Sequence, residues 1–291
     1  MAQGAEPTGA LRVGSRTSAL ARWQADQVIS ALARQGVLAE FAGVRSAGDL
    51  DPDPAALGRG DGVFVTALEV ALRQGRVDLA VHSLKDMPVR LADDLEIVAV
   101  LARHDPRDAV VGVPLNELAR GARVGTSSPR RAAFVHAVRP DLRVVPIRGN
   151  VPRRVGYVES GEMAAVILAL AGLERLGLGA RVAEVLPLDT FPPAPGQGAM
   201  AVEARRGALS PAVAALDDLP SRRTTTAERD LLDALGGTCA QPLGAHAEIL
   251  ADGRLRLRAS LALGDAVRFA EASGNDDRRV VGRVAASLGR T

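Results

Sequence analysis

Short apolar runs alternate with amphipathic stretches over the N-terminal part of the chain. The runs LRVG at 11–14 and VLAEFAGV at 37–44 have the length and apolar content of buried strands. Apolar residues recur at helical spacing over 18–35 and again over 64–73. This alternation of strand and helix predicts an α/β domain.

The same rhythm then starts a second time. DLAVHS at 78–83 and IVAVLA at 97–102 continue the first series, after which RVGTSSPRR, LRVVPIRGN and MAAVILALAG repeat the scheme of strand, polar turn and helix. We therefore expect two similar α/β domains. The Pro- and Gly-rich segment DTFPPAPGQGAM at 189–200 stands before an apolar strand and predicts a return crossing between these domains.

The periodicity changes towards the C-terminus. SRRTTTAERDLLDALGG has the Thr-rich start and paired Gly end of a capped helix. Asp252-Gly253 then separates two alternating stretches, AHAEIL and RLRLRASLAL, which is a hairpin signal. We expect a small third domain with an antiparallel sheet. The predicted boundaries are 1–101 with 194–219 for the first domain, 102–193 for the second and 220–291 for the third.

One stretch, residues 46–62, lacks any periodicity and is rich in Gly, Pro and Asp. Such a composition predicts a long mobile loop. Long loops in compact domains are often lids.

Composition excludes several classes of protein. The chain has 36 basic and 34 acidic residues and only 2% aromatic residues, whereas a nucleic-acid interface needs basic clusters with stacking aromatics. No apolar stretch reaches the roughly 20 residues that span a bilayer. A single cysteine cannot form an intrachain disulfide, and the N-terminal sequence lacks the pattern of a secretory signal. We expect a cytoplasmic protein with no membrane or nucleic-acid partner and no metal site.

Lys85 is the one lysine of the sequence, among 36 basic residues. It lies in HSLKDMP at 82–88, directly after the strand DLAV, so Lys85 and Asp86 should project from the carboxyl end of that strand. A Lys–Asp neighbour pair is usually a surface ion pair, but an Asp in a cleft can stabilise a developing cation. We interpret the nearby His82 as structural.

Arginine and hydroxyl side chains recur at three turns between a strand and a helix. These turns are VGSRTS at 13–18, GTSSPRR at 125–131 and RGNVPRR at 148–154. Hydroxyls, free N–H groups and guanidinium groups at helix starts bind anions. With no P-loop and no GxGxxG fingerprint, the set suits a ligand with several carboxylates, although these residues alone leave phosphate open.

Cys239 lies in GGTCAQPLG, between the predicted helix and the third domain's sheet. A lone Cys is most often an inert small hydrophobe. A thiolate near an arginine-lined cleft is also a strong nucleophile that can carry a covalent group. Position alone leaves both readings open.

Taken in order and spacing, several motifs resemble those of porphobilinogen deaminases over about residues 11–270. They are VGSRTSALARWQ, DGVFVTALEVAL, DLAVHSLKDMP, RHDPRDA, VGTSSPRR, RGNVPRR, ILALAGLERLGL, PAPGQGAMAVEAR and GGTCAQPLGAHAE. The resemblance implies two periplasmic-binding-protein-like α/β domains plus a smaller α/β C-terminal domain with an antiparallel sheet. It also implies a monomer that feeds tetrapyrrole and haem biosynthesis.

The resemblance further implies a chemistry and a set of site residues. Cys239 would hold a dipyrromethane cofactor by a thioether link, four porphobilinogen units would be added in turn, and hydrolysis would release hydroxymethylbilane. Asp86 matches the catalytic carboxylate, which assists ammonia loss and stabilises the azafulvenium cation formed. The acetate and propionate groups of cofactor and substrate would bind to Arg16, Ser18, Lys85, Thr126, Ser128, Arg130, Arg131, Arg148 and Arg154, with Arg175 and Gln197 near the growing chain.

The sequence departs from the family pattern at three places. Asp61 and Thr66 stand in the loop region where the family commonly has Lys, although Arg59 lies close by. Thr238 replaces the Gly that commonly precedes the cysteine, and the tail ends early at SLGRT. Two alternatives therefore remain: a paralogue with altered pyrrole chemistry, and a non-enzymatic two-domain module that binds an anionic solute.

Overall fold

The computed structural model describes residues 9–45, 63–208, 210–237, 241–264 and 266–289. The predicted loop at 46–62, with Arg59 and Asp61, lies outside these residues, as do Thr238 and Cys239. The chain divides into two compact units. One comprises the described residues up to Arg103 with Ala199–Arg222, and the other comprises His104–Gly198 with the described residues from Arg223 onwards. The division into three domains stays a prediction.

The first unit is built on a five-stranded sheet in the order β2-β1-β3-β10-β4. β1 pairs in parallel with β2 and β3, whereas β10 runs antiparallel to both β3 and β4. The strands are β1 (Leu11–Ser15), β2 (Ala39–Gly43), β3 (Leu79–Ser83), β4 (Leu95–Val100) and β10 (Met200–Arg205). The helices are α1 (Ala19–Ala33), α2 (Val63–Arg73) and the short α6 (Pro211–Ala214).

Alternating side chains of β3 place one helix on each face of this sheet. Leu79 and Val81 pack in a cluster with Val28 of α1, whereas Ala80 packs in another cluster with Leu72 of α2. This follows from the two-residue period of a strand, which sends successive side chains to opposite faces. A strand buried on both faces is typical of an α/β domain.

The second unit contains a sheet of the same design in the order β7-β6-β8-β5-β9. β6 pairs in parallel with β7 and β8, whereas β5 runs antiparallel to both of its neighbours, β8 and β9. The strands are β5 (Asp108–Gly112), β6 (Arg123–Gly125), β7 (Arg143–Val145), β8 (Ala165–Ala169) and β9 (Val182–Val185). The helices are α3 (Pro129–Val138), α4 (Val151–Glu159) and α5 (Leu170–Arg175).

The two sheets share one topology, which confirms the expected pair of similar α/β domains. Each has the order second strand, first strand, third strand, inserted antiparallel strand, fourth strand. The inserted strand of the first sheet is the returning β10, which confirms the predicted return crossing, and that of the second sheet is β5, the strand by which the chain enters.

The C-terminal part confirms the predicted hairpin and antiparallel sheet. β11 (Leu243–Ile249), β12 (Leu255–Leu263) and β13 (Ala266–Gly274) pair antiparallel in sequence order. Gly253 supplies the positive φ of 82° in the first turn. The sheet is flanked in sequence by α7 (Leu219–Ala234) and α8 (Asp277–Leu288), and Asp276 caps α8 by accepting from the Arg279 amide. Among the described residues, no helix has the length and hydropathy to cross a bilayer.

Candidate active site

The Lys85–Asp86 dipeptide follows the end of β3, as predicted, in a single 3₁₀ turn over Leu84–Asp86. Leu84 is buried, and its amide donates to the Ala199 carbonyl at 3.1 Å. The turn is therefore anchored through its first residue. Lys85 is half-buried, and Asp86 is exposed, with no hydrogen bond or ion pair to any other described residue.

Arg16 and Ser18 lie at the same edge of the first sheet as this turn. β1 and β3 are adjacent and parallel, so the residues after their carboxyl ends meet at one edge. Ser18 is the N-cap of α1 and accepts from the Ala21 amide at 3.3 Å. Arg16 is half-buried.

Two buried polar side chains join α1 to these strand ends. Ser15 Oγ lies 3.1 Å from the Ala21 carbonyl oxygen, to which it donates. Gln24 Nε2 donates to Ser83 Oγ at 2.9 Å, just before the 3₁₀ turn. The Arg16–Ser18 turn and the Lys85–Asp86 turn are thus connected through α1 by hydrogen bonds of buried side chains.

His82 is buried, and its Nε2 lies 3.0 Å from Oε2 of Glu203, which is fully buried. The pair links β3 to β10. His82 therefore supports the sheet, in agreement with its interpretation as a structural residue.

In the second unit, the GTSSPRR turn forms the predicted helix start after β6. Ser128 caps α3 by accepting from the Arg131 amide at 3.4 Å, and Pro129 occupies the first turn. Thr126 is buried and its Oγ1 accepts from the Ser128 amide at 3.2 Å. Ser127 Oγ donates to the Ile147 carbonyl.

The RGNVPRR turn follows β7, the parallel neighbour of β6, so both turns lie at one sheet edge. Asn150 caps α4 by accepting from the Arg153 amide at 3.1 Å. Arg148 is exposed and Arg154 is half-buried. The structure thus brings Thr126, Ser128, Arg148 and Arg154 to the same edge of the second sheet.

Arg130 and Arg131 are buried around Asp108, which was not among the predicted site residues. Asp108 is 0% exposed, and its Oδ2 accepts from Arg130 at 2.6 Å. Its Oδ1 accepts from Arg131 at 2.7 Å and from Gln197 Nε2 at 2.8 Å. Burial alone would raise the pKa of Asp108, but the two guanidinium groups hold it well below its usual value.

The two guanidinium groups are also bonded to backbone carbonyls. Arg130 donates to the Pro192 carbonyl at 2.7 Å, and Arg131 donates to that of Ile167 at 3.0 Å. Burial lowers the pKa of Arg130, and the charge of Asp108 offsets this only in part. Two cations against one carboxylate leave a net positive charge, and Arg130 Nε is buried without a partner among the described residues. The net positive charge and the unpartnered nitrogen are both suited to a site that binds a carboxylate group of a ligand.

Arg175 and Gln197 lie in the same unit and meet around Gly198. Arg175 donates to the Gly198 carbonyl at 2.6 Å, and burial lowers its pKa to about 10. Gln197 is buried and also donates to the Pro106 carbonyl at 2.7 Å. Both side chains are fixed in place by the protein itself.

Asp108 and Glu228 were not predicted from the sequence, although each has a signal there. Asp108 is the single charge in the apolar strand DAVVG, where a buried carboxylate needs cationic partners. Glu228 shares the buried face of α7 with Thr224, Thr225 and Leu231, at helical spacing. Among the described residues, no group of His, Cys, Asp and Glu is arranged to hold a metal ion.

The fold and these turns define a class of protein: two α/β units of one topology, each with arginine and hydroxyl side chains at the carboxyl ends of its strands, where anionic groups are typically bound. Two family models match the chain. Residues 11–211 match the model "Porphobilinogen deaminase, dipyromethane cofactor binding domain", and residues 223–288 match "Porphobilinogen deaminase, C-terminal domain". The chain belongs to the porphobilinogen deaminase family.

Curated relatives agree with this assignment. The chain is 47% identical over 261 residues to the porphobilinogen deaminase of Thermobifida fusca, covering 87% of this chain and 82% of the relative. It is 43% identical over 295 residues to that of Burkholderia mallei, covering 98% and 89%. Among solved structures, substrate binding domain 2 of GlnP from Lactococcus lactis matches with a TM-score of 0.43 and 11% identity, covering 80% of this chain and 93% of that one.

Proposed function

We propose that this chain catalyses the stepwise deaminative condensation of four porphobilinogen molecules on a dipyrromethane cofactor and releases hydroxymethylbilane by hydrolysis. One observation carries the proposal: Asp86 is exposed at the end of a buried strand, beside Lys85 and at the same sheet edge as Arg16 and Ser18. This is the arrangement that the family's chemistry needs, because a free carboxylate stabilises the cation formed when ammonia leaves.

The chain's own residues divide this work. Asp86 accepts pyrrole N–H groups and stabilises positive charge on the reacting substrate. Lys85, Arg16 and Ser18 bind acetate and propionate groups in the first unit. The corresponding residues in the second unit are Thr126, Ser128, Arg130, Arg131, Arg148, Arg154, Arg175 and Gln197.

Cys239 is the proposed attachment point of the cofactor, through a thioether bond. When bound, the dipyrromethane supplies the free pyrrole α-carbon to which the first substrate is joined. The net positive charge around Asp108 supports this assignment, since the cofactor's acidic side chains need cationic partners. We further propose a cytoplasmic monomer that feeds tetrapyrrole synthesis and binds neither nucleic acid nor membranes.

Intact mass of the purified protein, with and without Cys239→Ala, tests the proposal. The wild type should carry the additional mass of a dipyrromethane and give a colour with acidic aldehyde reagent, and the variant should show neither. If both proteins have the mass of the bare chain, porphobilinogen is added to the wild type. A gain in mass and formation of hydroxymethylbilane then support the proposal, whereas binding without turnover indicates a solute-binding module.

The alternative of a paralogue with altered pyrrole chemistry can be tested at Thr66. Thr66 was expected in the loop region together with Asp61, but it lies exposed in the first turn of α2, because the helix already begins at Val63. If the wild type turns over slowly, Thr66→Lys should lower KM for porphobilinogen. An unchanged KM would remove this departure as a cause.

A further inference from the structure

Glu228, in α7, is a fully buried glutamate to which the family resemblance assigned no role. Its Oε2 accepts from the Gly196 amide at 2.8 Å, and its Oε1 accepts from the Ala247 amide at 2.8 Å. A carboxylate is costly to remove from water unless its oxygens are satisfied. Here both oxygens bond to backbone N–H groups, so Glu228 joins two segments of backbone.

These two segments belong to different parts of the second unit. Ala247 lies in β11 of the three-stranded sheet, whereas Gly196 directly precedes Gln197. Gln197 in turn donates to Asp108, the carboxylate that holds Arg130 and Arg131. A continuous set of contacts therefore runs from the C-terminal sheet, through Glu228, to the arginine network.

Residues 192–198, the segment that contains Gly196 and Gln197, are held by hydrogen bonds at both ends of the segment. Its Pro193 carbonyl accepts from the Ala245 amide of β11 at 2.8 Å, and its Pro192 carbonyl accepts from Arg130. At the other end, the Gly198 carbonyl accepts from the His104 amide at 3.2 Å and from Arg175.

The segment's conformation also depends on glycine. Gly196 and Gly198 have φ of 75° and 89°, on either side of Gln197, and the Gln197 amide donates to the Ala194 carbonyl. Three side chains of the proposed ligand site thus belong to or bond with one short segment: Arg130, Arg175 and Gln197. Whatever fixes this segment fixes all three.

We propose that Glu228 is a positioning residue that fixes Gln197, and through Asp108 the two buried arginines, by clamping segment 192–198 to β11. The inference rests on the proposed function, because it assumes that these side chains bind the carboxylates of cofactor and substrate. Such contacts are made before and during reaction alike. Disturbing them should raise KM more than it lowers kcat.

Glu228→Gln tests the clamp, because it keeps the volume but replaces one acceptor oxygen by an NH₂ group facing an amide donor. KM for porphobilinogen should rise about tenfold, as for the loss of one buried hydrogen bond, with kcat within about twofold. Amide hydrogen exchange should increase at Gly196 and Ala247. Glu248→Gln is the matched control, since Glu248 lies half-buried on β11 and pairs with Arg256.

A double-mutant cycle with Gln197→Ala separates positioning from general weakening of the fold. If Glu228 acts through Gln197, adding Glu228→Gln to Gln197→Ala should raise KM by less than about twofold. An equal rise in both backgrounds, or no rise in either, would overturn the proposal. If Glu228→Gln does not unfold cooperatively, Glu228→Asp replaces it in the same cycle, because Asp retains both acceptor oxygens on a shorter side chain.

Two different measurements test the proposed function and the proposed role of Glu228. Wild-type protein that forms no hydroxymethylbilane refutes the function. Amide exchange does not require turnover, and unchanged exchange at Gly196 in Glu228→Gln refutes the clamp.

Discussion

Asp86 and Asp108 are two aspartates with opposite surroundings. Asp108 is fully buried and accepts from two guanidinium groups and an amide, whereas Asp86 is exposed and forms no bond to another described residue. A carboxylate whose lone pairs are all engaged supports structure, and one whose lone pairs are open can bind a substrate. The environment therefore separates a structural role from a proposed catalytic one.

Asp86→Asn should lower kcat by about 10²–10⁴-fold, because the amide keeps the shape but loses the charge that stabilises a developing cation. The unfolding midpoint should change little, since the side chain is exposed. Steady-state kinetics and a thermal melt measure the two effects. Asp93→Asn, at another exposed carboxylate, should leave both unchanged. Wild-type kcat in the Asp86 variant would remove this residue from the mechanism.

Asp108→Asn should destabilise the protein by about 3–5 kcal/mol, because it leaves two buried guanidinium groups without a counter-charge. The pKa of Asp108 is held below its ordinary 3.8, so its contribution to stability is present above that pH and is lost as the pH falls towards the folded-state value. Urea unfolding between about pH 2 and 5, where the carboxylate of the unfolded chain becomes protonated, should show a weaker pH dependence in the variant.

The exposed pair Asp252–Arg254 provides the control for this experiment. Asp252 also has a lowered pKa, but it lies at the surface. Asp252→Asn should therefore cost less than about 1 kcal/mol. Equal losses in the two variants would argue against a special role for the buried network.

At the scale of elements, segment 192–198 lies outside the helices and strands, but its backbone conformation is closely fixed by its glycines and hydrogen bonds. Gly198 has a φ of 89°, and a Cβ placed there would lie 2.5 Å from the His104 carbonyl oxygen. Glycine is thus required twice, once for the backbone conformation and once for the close approach.

Gly198→Ala should therefore be destabilising by about 3 kcal/mol or more, at the upper end of the cost of backbone strain. Gly207 is the matched control, because its φ is 78° but a Cβ there meets nothing within 4 Å. Gly207→Ala should cost only about 1 kcal/mol. Chemical denaturation gives both values, and similar losses would show that the contact with His104 is unimportant.

The elements that the sequence predicts are those set by local pattern. The hairpin at Asp252-Gly253 and the helix start after the GTSSPRR turn depend on neighbouring residues, and both are confirmed. The partnership of Asp108 with Arg130 and Arg131 was not predicted, because periodicity reports that a residue is buried but not which distant side chain meets it. The hydrogen bonds from the Gly196 and Ala247 amides to Glu228 were not predicted for the same reason.

At the scale of the whole molecule, the inserted strand β10 determines which fragments of the chain can fold on their own. β10 lies between β3 and β4, and Val100 pairs directly with Ala201. A chain that stops at residue 103 lacks a central strand of its sheet. The order of the strands could not be read from the sequence, because it depends on pairing between segments that are far apart along the chain.

This topology predicts a self-sufficient fragment. Leu101 and Met200 are adjacent across β4 and β10, so a two-residue Asn-Gly turn should join them as a hairpin. Residues 1–101 joined by this turn to 200–222 should unfold cooperatively in urea, whereas residues 1–103 alone should not. Cooperative unfolding of the shorter fragment would contradict the requirement for β10.

The position of β10 also bears on synthesis at the ribosome. β4 ends at Val100 and β10 begins at Met200, an interval of roughly 5–20 seconds at typical translation rates. During this time β3 and β4 have emerged with unpaired edges, which are prone to aggregation and attract chaperones. The second sheet already has its inserted strand, β5, when β9 emerges. The domain that is encoded later is therefore expected to fold first.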